Sequence, residues 1–97
     1  MAVVVIKIEQ WGNCYHAQDA KVQNNDTVLI ATEVQNQQFK IVVPNQDGFF
    51  NSSPVITGTV DSNTTLGLGN VTGSGRATKY YTIDPGCEAP PRIIRQS

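Results

Sequence analysis

Short runs of alternating apolar and polar residues recur along the chain. Ile6 and Ile8 alternate with Lys7 and Glu9, a period of two that places apolar side chains on one face of a β-strand and charged ones on the other. No stretch carries apolar residues at the three- and four-residue spacing that an amphipathic helix needs. The pattern therefore predicts an all-β chain.

The predicted strands are rich in Val, Ile and Thr and are separated by Asn, Asp, Gly, Ser and Pro. The strongest run, 27–34, is followed by polar turn residues and a second run, 38–43, so we expect these two to form a hairpin. The other strands are expected at 2–10, 20–23, 54–60, 64–72, 77–83 and 92–95, with a short strand or ordered loop at 11–17.

This number and spacing of short strands is typical of a sandwich of two sheets. Since no crossover helices are predicted, the pairing should be mainly antiparallel. We therefore expect residues 1–97 to form a single antiparallel β-sandwich domain of about seven or eight strands with Greek-key connections. The strand pattern is similar to that of immunoglobulin-like and cupredoxin-like sandwiches.

Charge is sparse and evenly scattered. Only 15% of the residues are charged and the net charge is −1, and the lysines and arginines form no run. A nucleic-acid-binding protein usually carries a basic patch that neutralises phosphates, so we expect no nucleic-acid partner. The low net charge gives little repulsion between copies, which favours association with another protein or with the chain itself.

The apolar run at 1–6 is followed at once by Lys7 and Glu9. It is too short for the core of a signal peptide or for a membrane helix. We therefore expect a cytoplasmic protein with no membrane partner. In that compartment Cys14 and Cys87 should be free thiols.

Cys14, His16 and Cys87 are the residues best suited to a soft metal. Two other arrangements compete with free thiols: a disulfide that closes a loop over most of the chain, or a site with two Cys and one His ligand. Structural zinc usually takes four ligands, and blue copper takes two His and one Cys. With a single His in the chain, we expect no metal and no other cofactor.

The sequence contains few candidate catalytic residues. His16 is the one imidazole, no Gly-x-Ser-x-Gly elbow is present, and the glycines at 67–69 and 73–75 lack the helix that a phosphate-binding loop needs. We predict no catalytic residues.

Two apolar features predict where a protein partner would bind. The strand at 2–10 opens with Val3, Val4, Val5 and Ile6, which are apolar on both faces, so we predict Val4 as a contact residue. Phe49 and Phe50 follow Asp47-Gly48 in a loop, where one ring should face outward. We therefore expect a non-enzymatic sandwich that works through protein–protein contact, including contact between its own copies.

Two other functions remain open. The first is a small-ligand or carbohydrate-binding module, built from amide side chains and the aromatic residues Trp11, Tyr15, Phe49, Phe50, Tyr80 and Tyr81. The second is a metal or redox protein that uses Cys14, His16 and Cys87.

The C-terminal string from Ile83 to Ile94 resembles the end of a family of small bacterial proteins called DP-EP. Asp84-Pro85 matches the first part of that name, whereas Ala89 is inserted between Glu88 and Pro90. The resemblance implies a bacterial β-sandwich and carries no activity or site residues over to this chain.

Overall fold

The computed structural model describes residues 2–97, and these contain ten β-strands. The pairing is mainly antiparallel, as predicted, because only β1 with β4 and β3 with β10 run parallel. The strands are β1 Val3–Trp11, β2 Cys14–His16, β3 Ala20–Val22, β4 Thr27–Thr32, β5 Phe39–Pro44, β6 Val55–Val60, β7 Leu66–Asn70, β8 Ala77–Tyr80, β9 Thr82–Asp84 and β10 Arg92–Arg95.

The strands form two layers, as the sequence predicted. One layer is a four-stranded sheet in the order β2-β1-β4-β7. The other consists of two three-stranded ladders, β3-β10-β8 and β6-β5-β9. Only Tyr81 separates β8 of the first ladder from β9 of the second, so these two strands link the ladders.

The core lies between the layers and is supplied by alternate residues of each strand. Val28 and Ile30 of β4 and Phe39 and Ile41 of β5 are all fully buried, on the faces that the alternation predicted. Each such side chain stabilises the fold by roughly 1.5–3 kcal/mol relative to exposure to water.

The predicted hairpin between the fourth and fifth strands is wrong. β4 pairs with β1 and β7, whereas β5 pairs with β6 and β9, so the two strands belong to different sheets. The polar residues between them form a connection that crosses from one layer to the other. Alternation shows which face of a strand is buried, but it does not show which strand lies beside it.

The loop before β6 also differs from the prediction. Phe49 and Phe50 are 3% and 1% exposed, so the expectation of an outward ring was wrong. The side chain of buried Asn45 holds this loop inward: Asn45 Oδ1 accepts the Phe50 N–H at 2.8 Å, and Asn45 Nδ2 donates to the Phe50 carbonyl at 2.9 Å. The Asn45 amide thereby supplies hydrogen-bond partners for loop backbone groups that are buried together with the two rings.

An ion pair closes the outside of the same loop. Lys79 Nζ lies 2.8 Å from Asp47 Oδ2 and 5.9 Å from the centre of the Phe49 ring. The hydrogen bond from Lys79 holds the pKa of the Asp47 carboxyl below its ordinary value. The Lys79 ammonium group therefore lies over the Phe49 ring while it is paired with Asp47.

The turn after β9 contains Asp84, Pro85 and Gly86, and the Asp84–Pro85 peptide bond is cis. Gly86 does not adopt a positive φ. A Cβ at this position would collide with the Ile83 carbonyl oxygen. Gly86 is required here for close packing against backbone rather than for left-handed geometry.

Candidate functional site

The N-terminal half of β1 is an open sheet edge. Residues 3–8 pair with β4 on one side. On the other side, β2 pairs only with the last part of β1, from Glu9 to Trp11. Over residues 3–8 the second edge of β1 has no strand beside it within the described chain.

The backbone groups on this open edge belong to alternate residues. Along a strand, successive residues direct their N–H and C=O groups to opposite sides. The Ala2 carbonyl accepts the Thr27 N–H at 2.8 Å, so even-numbered residues of β1 face β4. Val3, Val5 and Lys7 therefore turn their N–H and C=O groups to the open edge, where a further strand could bind them.

The outer side chains of the same segment are apolar. Val3 is 66% exposed and Val5 is 48% exposed, whereas Ile6 and Ile8 on the opposite face are buried. Val4, the residue selected from the sequence, is half-buried and packs against the core. The apolar surface that β1 offers to solvent thus belongs to Val3 and Val5.

A groove of about 360 Å³ runs beside this edge. One wall is β1 and the other is the segment that leads into β3. The lining residues are Val4, Val5, Ile6, Lys7, Glu9, Gln18, Asp19 and Ala20. The groove leaves space next to the unpaired backbone groups of β1.

Two ion pairs lie near the edge. Lys7 Nζ lies 3.4 Å from Glu33, beyond the end of β4. Arg92 donates a hydrogen bond of 2.8 Å to Asp19, which raises the pKa of the guanidinium. Natural edge strands are usually protected by charged side chains, prolines or bulges; the Val3–Val5 part of β1 has none of these, and the first charge on the edge is Lys7.

A buried carboxylate fixes where β1 begins. Asp26 is 8% exposed and accepts N–H groups from Ala2 at 3.0 Å and from Gln23 at 2.9 Å. These bonds hold the start of β1 against the turn before β4. The edge is therefore presented as an ordered strand.

Cys14 and Cys87 form a disulfide, with their Cα atoms 4.9 Å apart. The expectation of two free thiols is wrong in this structure, because β2 and the β9–β10 loop bring the two cysteines together. The Cys87 N–H donates to the Tyr15 carbonyl at 2.7 Å, so a backbone hydrogen bond joins the same two segments.

Within residues 2–97 no helix has the length and apolarity to cross a membrane.

The aromatic residues do not form one exposed platform. Phe49, Phe50 and Tyr81 are buried, and the Tyr81 hydroxyl has no hydrogen-bond partner among the described residues. Burial raises the pKa of this hydroxyl. Tyr15 packs edge-on against Phe39, and only Trp11 and Tyr80 expose large parts of their rings.

A polar cleft of about 480 Å³ lies between the β4–β5 and β6–β7 connections. Several of its side chains are engaged with nearby backbone: Gln35 and Gln37 donate to the carbonyls of Glu33 and Gln38, and Asp61 accepts the Asn63 N–H. The cleft is lined by Gln35, Asn36, Gln37, Gln38, Asp61, Ser62 and Asn63. It has no aromatic wall against which a sugar ring could stack.

The two-layer arrangement has a counterpart among solved structures. A copper(I) form of an amicyanin variant superposes with a TM-score of 0.66 at 17% identity, covering 97% of this chain and 82% of that one. The fold is cupredoxin-like. At this identity the similarity shows the fold alone, and it agrees with the cupredoxin-like form of the predicted sandwich.

No family model and no curated protein matches the chain. The resemblance to the DP-EP family therefore stays a prediction that rests on the C-terminal string.

The residues present do not fit the copper that the amicyanin structure carries. A blue-copper centre needs two imidazoles and a thiolate, whereas this chain has one imidazole, that of His16, and both of its cysteine sulfurs are in the disulfide. His16 packs edge-on against Trp11 at 4.7 Å. Residues 2–97 contain no cluster of three His, Cys, Asp or Glu side chains that could hold a metal.

Sequence reasoning missed Val3 and Val5 as the exposed pair. The signal was present, because both share the odd numbering of Lys7 and Glu9, which the alternation had placed toward water. Extending that alternation back to the start of the strand would have identified them.

Proposed function

We propose that the chain is a non-enzymatic interaction domain that pairs with a second copy of itself through the open edge of β1. The observation that carries this proposal is an ordered strand edge with no strand beside it over residues 3–8, which exposes two valines, Val3 and Val5. Pairing of two such edges would join the two four-stranded sheets into one continuous sheet.

The edge is complementary to itself in an antiparallel arrangement. With Val5 on the two-fold axis, Val5 lies opposite Val5 of the second copy, and Val3 lies opposite Lys7. Val3, Val5 and Lys7 of each copy then exchange about six backbone hydrogen bonds with the other copy. Like charges directly opposite each other would weaken the pairing, and this register places none in that position.

The protein's other features support association rather than chemistry. His16 contacts Trp11 and the two cysteine sulfurs are bonded to each other, so the disulfide-bonded protein has no thiol that could act as a nucleophile. The net charge of −1 leaves little long-range repulsion between copies. The cytoplasmic location expected from the sequence remains part of this proposal.

Substitution of Val5 by lysine tests the surface directly. Val5→Lys places two ammonium groups opposite each other at the axis, so the dimer should weaken at least about tenfold. Sedimentation equilibrium from low to high micromolar concentration measures this change.

Val55→Lys is the matched control. Val55 is a strand valine of similar exposure, 47%, on the edge strand β6 of the other layer. This variant should dimerise like the wild type. A wild-type species of 10.5 kDa at every concentration, or equal weakening by both substitutions, would contradict the proposal.

A further inference from the structure

The fold brings the two cysteines of the chain together. Cys14 and Cys87 lie 73 residues apart in the sequence, yet their Cα atoms are 4.9 Å apart and their sulfurs are bonded. In the cytoplasmic location that the sequence predicts, thiol reductants convert a disulfide of this kind into two thiols. The reduced protein then carries two sulfurs side by side, as long as the backbone around them keeps its position.

Contacts other than the disulfide hold the backbone of both cysteines. Cys14 lies opposite Trp11 in the ladder between β2 and β1. The Cys87 N–H donates to the Tyr15 carbonyl at 2.7 Å, which joins the β9–β10 loop to β2. Tyr15 in turn packs edge-on against the buried ring of Phe39. None of these three contacts involves a sulfur atom, so reduction does not break them directly.

The reduced pair has the donor chemistry of a soft-metal site. Thiolates select soft ions such as Cu(I) and zinc, and both cysteines are half-buried, so an ion from solvent can reach them. Structural zinc takes four ligands, whereas two thiolates are a sufficient ligand set for Cu(I). His16 is two residues from Cys14 and on the same face of β2, but its ring packs against Trp11. The pair of sulfurs therefore suits Cu(I) better than zinc.

We infer that the reduced Cys14–Cys87 pair binds one Cu(I) ion between its two sulfurs. The inference goes beyond the proposed self-association, because the site does not involve the open part of β1. A dithiol reductant first converts the disulfide to two thiols and is itself oxidised to a disulfide. The two thiols then bind one Cu(I) ion and release two protons. The disulfide-bonded protein has no thiolate to offer and binds no Cu(I) at this position.

Competition for Cu(I) with the chelator bicinchoninate tests the site. The wild type is reduced with dithiothreitol, freed of the reductant without oxygen, and titrated. We expect it to take one equivalent of Cu(I) from the chelator, whereas the disulfide-bonded wild type takes none. X-ray absorption at the copper edge should show two sulfur neighbours. Circular dichroism confirms that each sample is folded.

Three variants make the test specific. Cys14→Ser and Cys87→Ser each keep one thiol, so their affinity for Cu(I) should fall at least about a hundredfold because the chelate is lost. Val5→Lys changes the open edge of β1 and leaves both sulfurs in place, so it should bind Cu(I) like the wild type.

The remaining outcomes contradict the site. No uptake by the reduced wild type, or equal uptake by a variant with a single cysteine, overturns it and leaves the proposed self-association intact. Equal uptake by the disulfide-bonded protein overturns it as well, since the sulfurs are then not the ligands. Loss of the native circular dichroism spectrum on reduction also overturns it, because an unfolded chain does not hold the two sulfurs together.

Discussion

Replacing both cysteines in Cys14→Ser/Cys87→Ser is expected to lower the free energy of unfolding by about 4 kcal/mol. The disulfide spans a sequence separation of 73 residues, so its removal returns the conformational freedom of a long loop to the unfolded chain. For a domain of this size the melting temperature should fall by about 20 °C. Urea denaturation with circular dichroism measures the change.

Reduction of the wild type is the matched control for this loss. Reduced wild type should unfold at the same urea concentration as the double variant, and the double variant should not respond to the reductant. A double variant within about 1 kcal/mol of the oxidised wild type, well below the chain-entropy value, would show that the cross-link contributes little.

Phe50→Ala is expected to cost about 3–5 kcal/mol of stability. The ring is 1% exposed and lies 5.0 Å from the Phe49 ring, so its removal leaves a cavity beside a second aromatic residue. The bonds between Asn45 and the Phe50 backbone keep the loop inward, which limits how far the cavity can collapse. Urea denaturation checks the result.

Val55→Ala supplies the comparison for this substitution. Val55 begins β6, shortly after the same loop, and is 47% exposed, so its truncation should cost less than about 1 kcal/mol. Equal losses for the two variants would mean that Phe50 lies at the surface and would contradict the buried position of its ring.

Local patterns were sufficient to predict most strands. The strand at Arg92–Arg95 was predicted with its observed bounds, and β4 and β5 differ from their predicted ranges by one or two residues. Side-chain alternation carries this information because burial imposes a period of two on each strand. The break at Tyr81, which divides one predicted strand into β8 and β9, has no such signal.

Contacts between distant residues could not be predicted in the same way. The separation of β4 from β5, the inward turn of Phe50 and the approach of Cys14 to Cys87 all depend on how the layers are arranged. For the cysteines, the expected cytoplasmic location favoured free thiols. The sequence gives no information about the distance between the two side chains, so it could not show that they meet. For Phe50, the Asn45 side chain that satisfies the loop backbone looks like any other loop amide in the sequence.

The candidate site was predicted in part. Low net charge and an apolar first strand indicated association through that strand, but the residue selected was Val4. The selection depended on apolar character alone, whereas the exposed surface belongs to Val3 and Val5, on the opposite face. Which backbone groups are free depends on the parallel pairing of β1 with β4, and alternation alone does not reveal it.

Residue-resolved amide hydrogen exchange at low and high protein concentration tests the central claim most directly. The N–H groups of Val4, Ile6 and Ile8 face β4 and should be protected at every concentration. Those of Val3, Val5 and Lys7 face the open edge, so they should exchange rapidly in dilute protein and become protected as the concentration rises. Rapid exchange of Val5 at all concentrations, in a sample that sedimentation shows to be dimeric, would contradict pairing through β1.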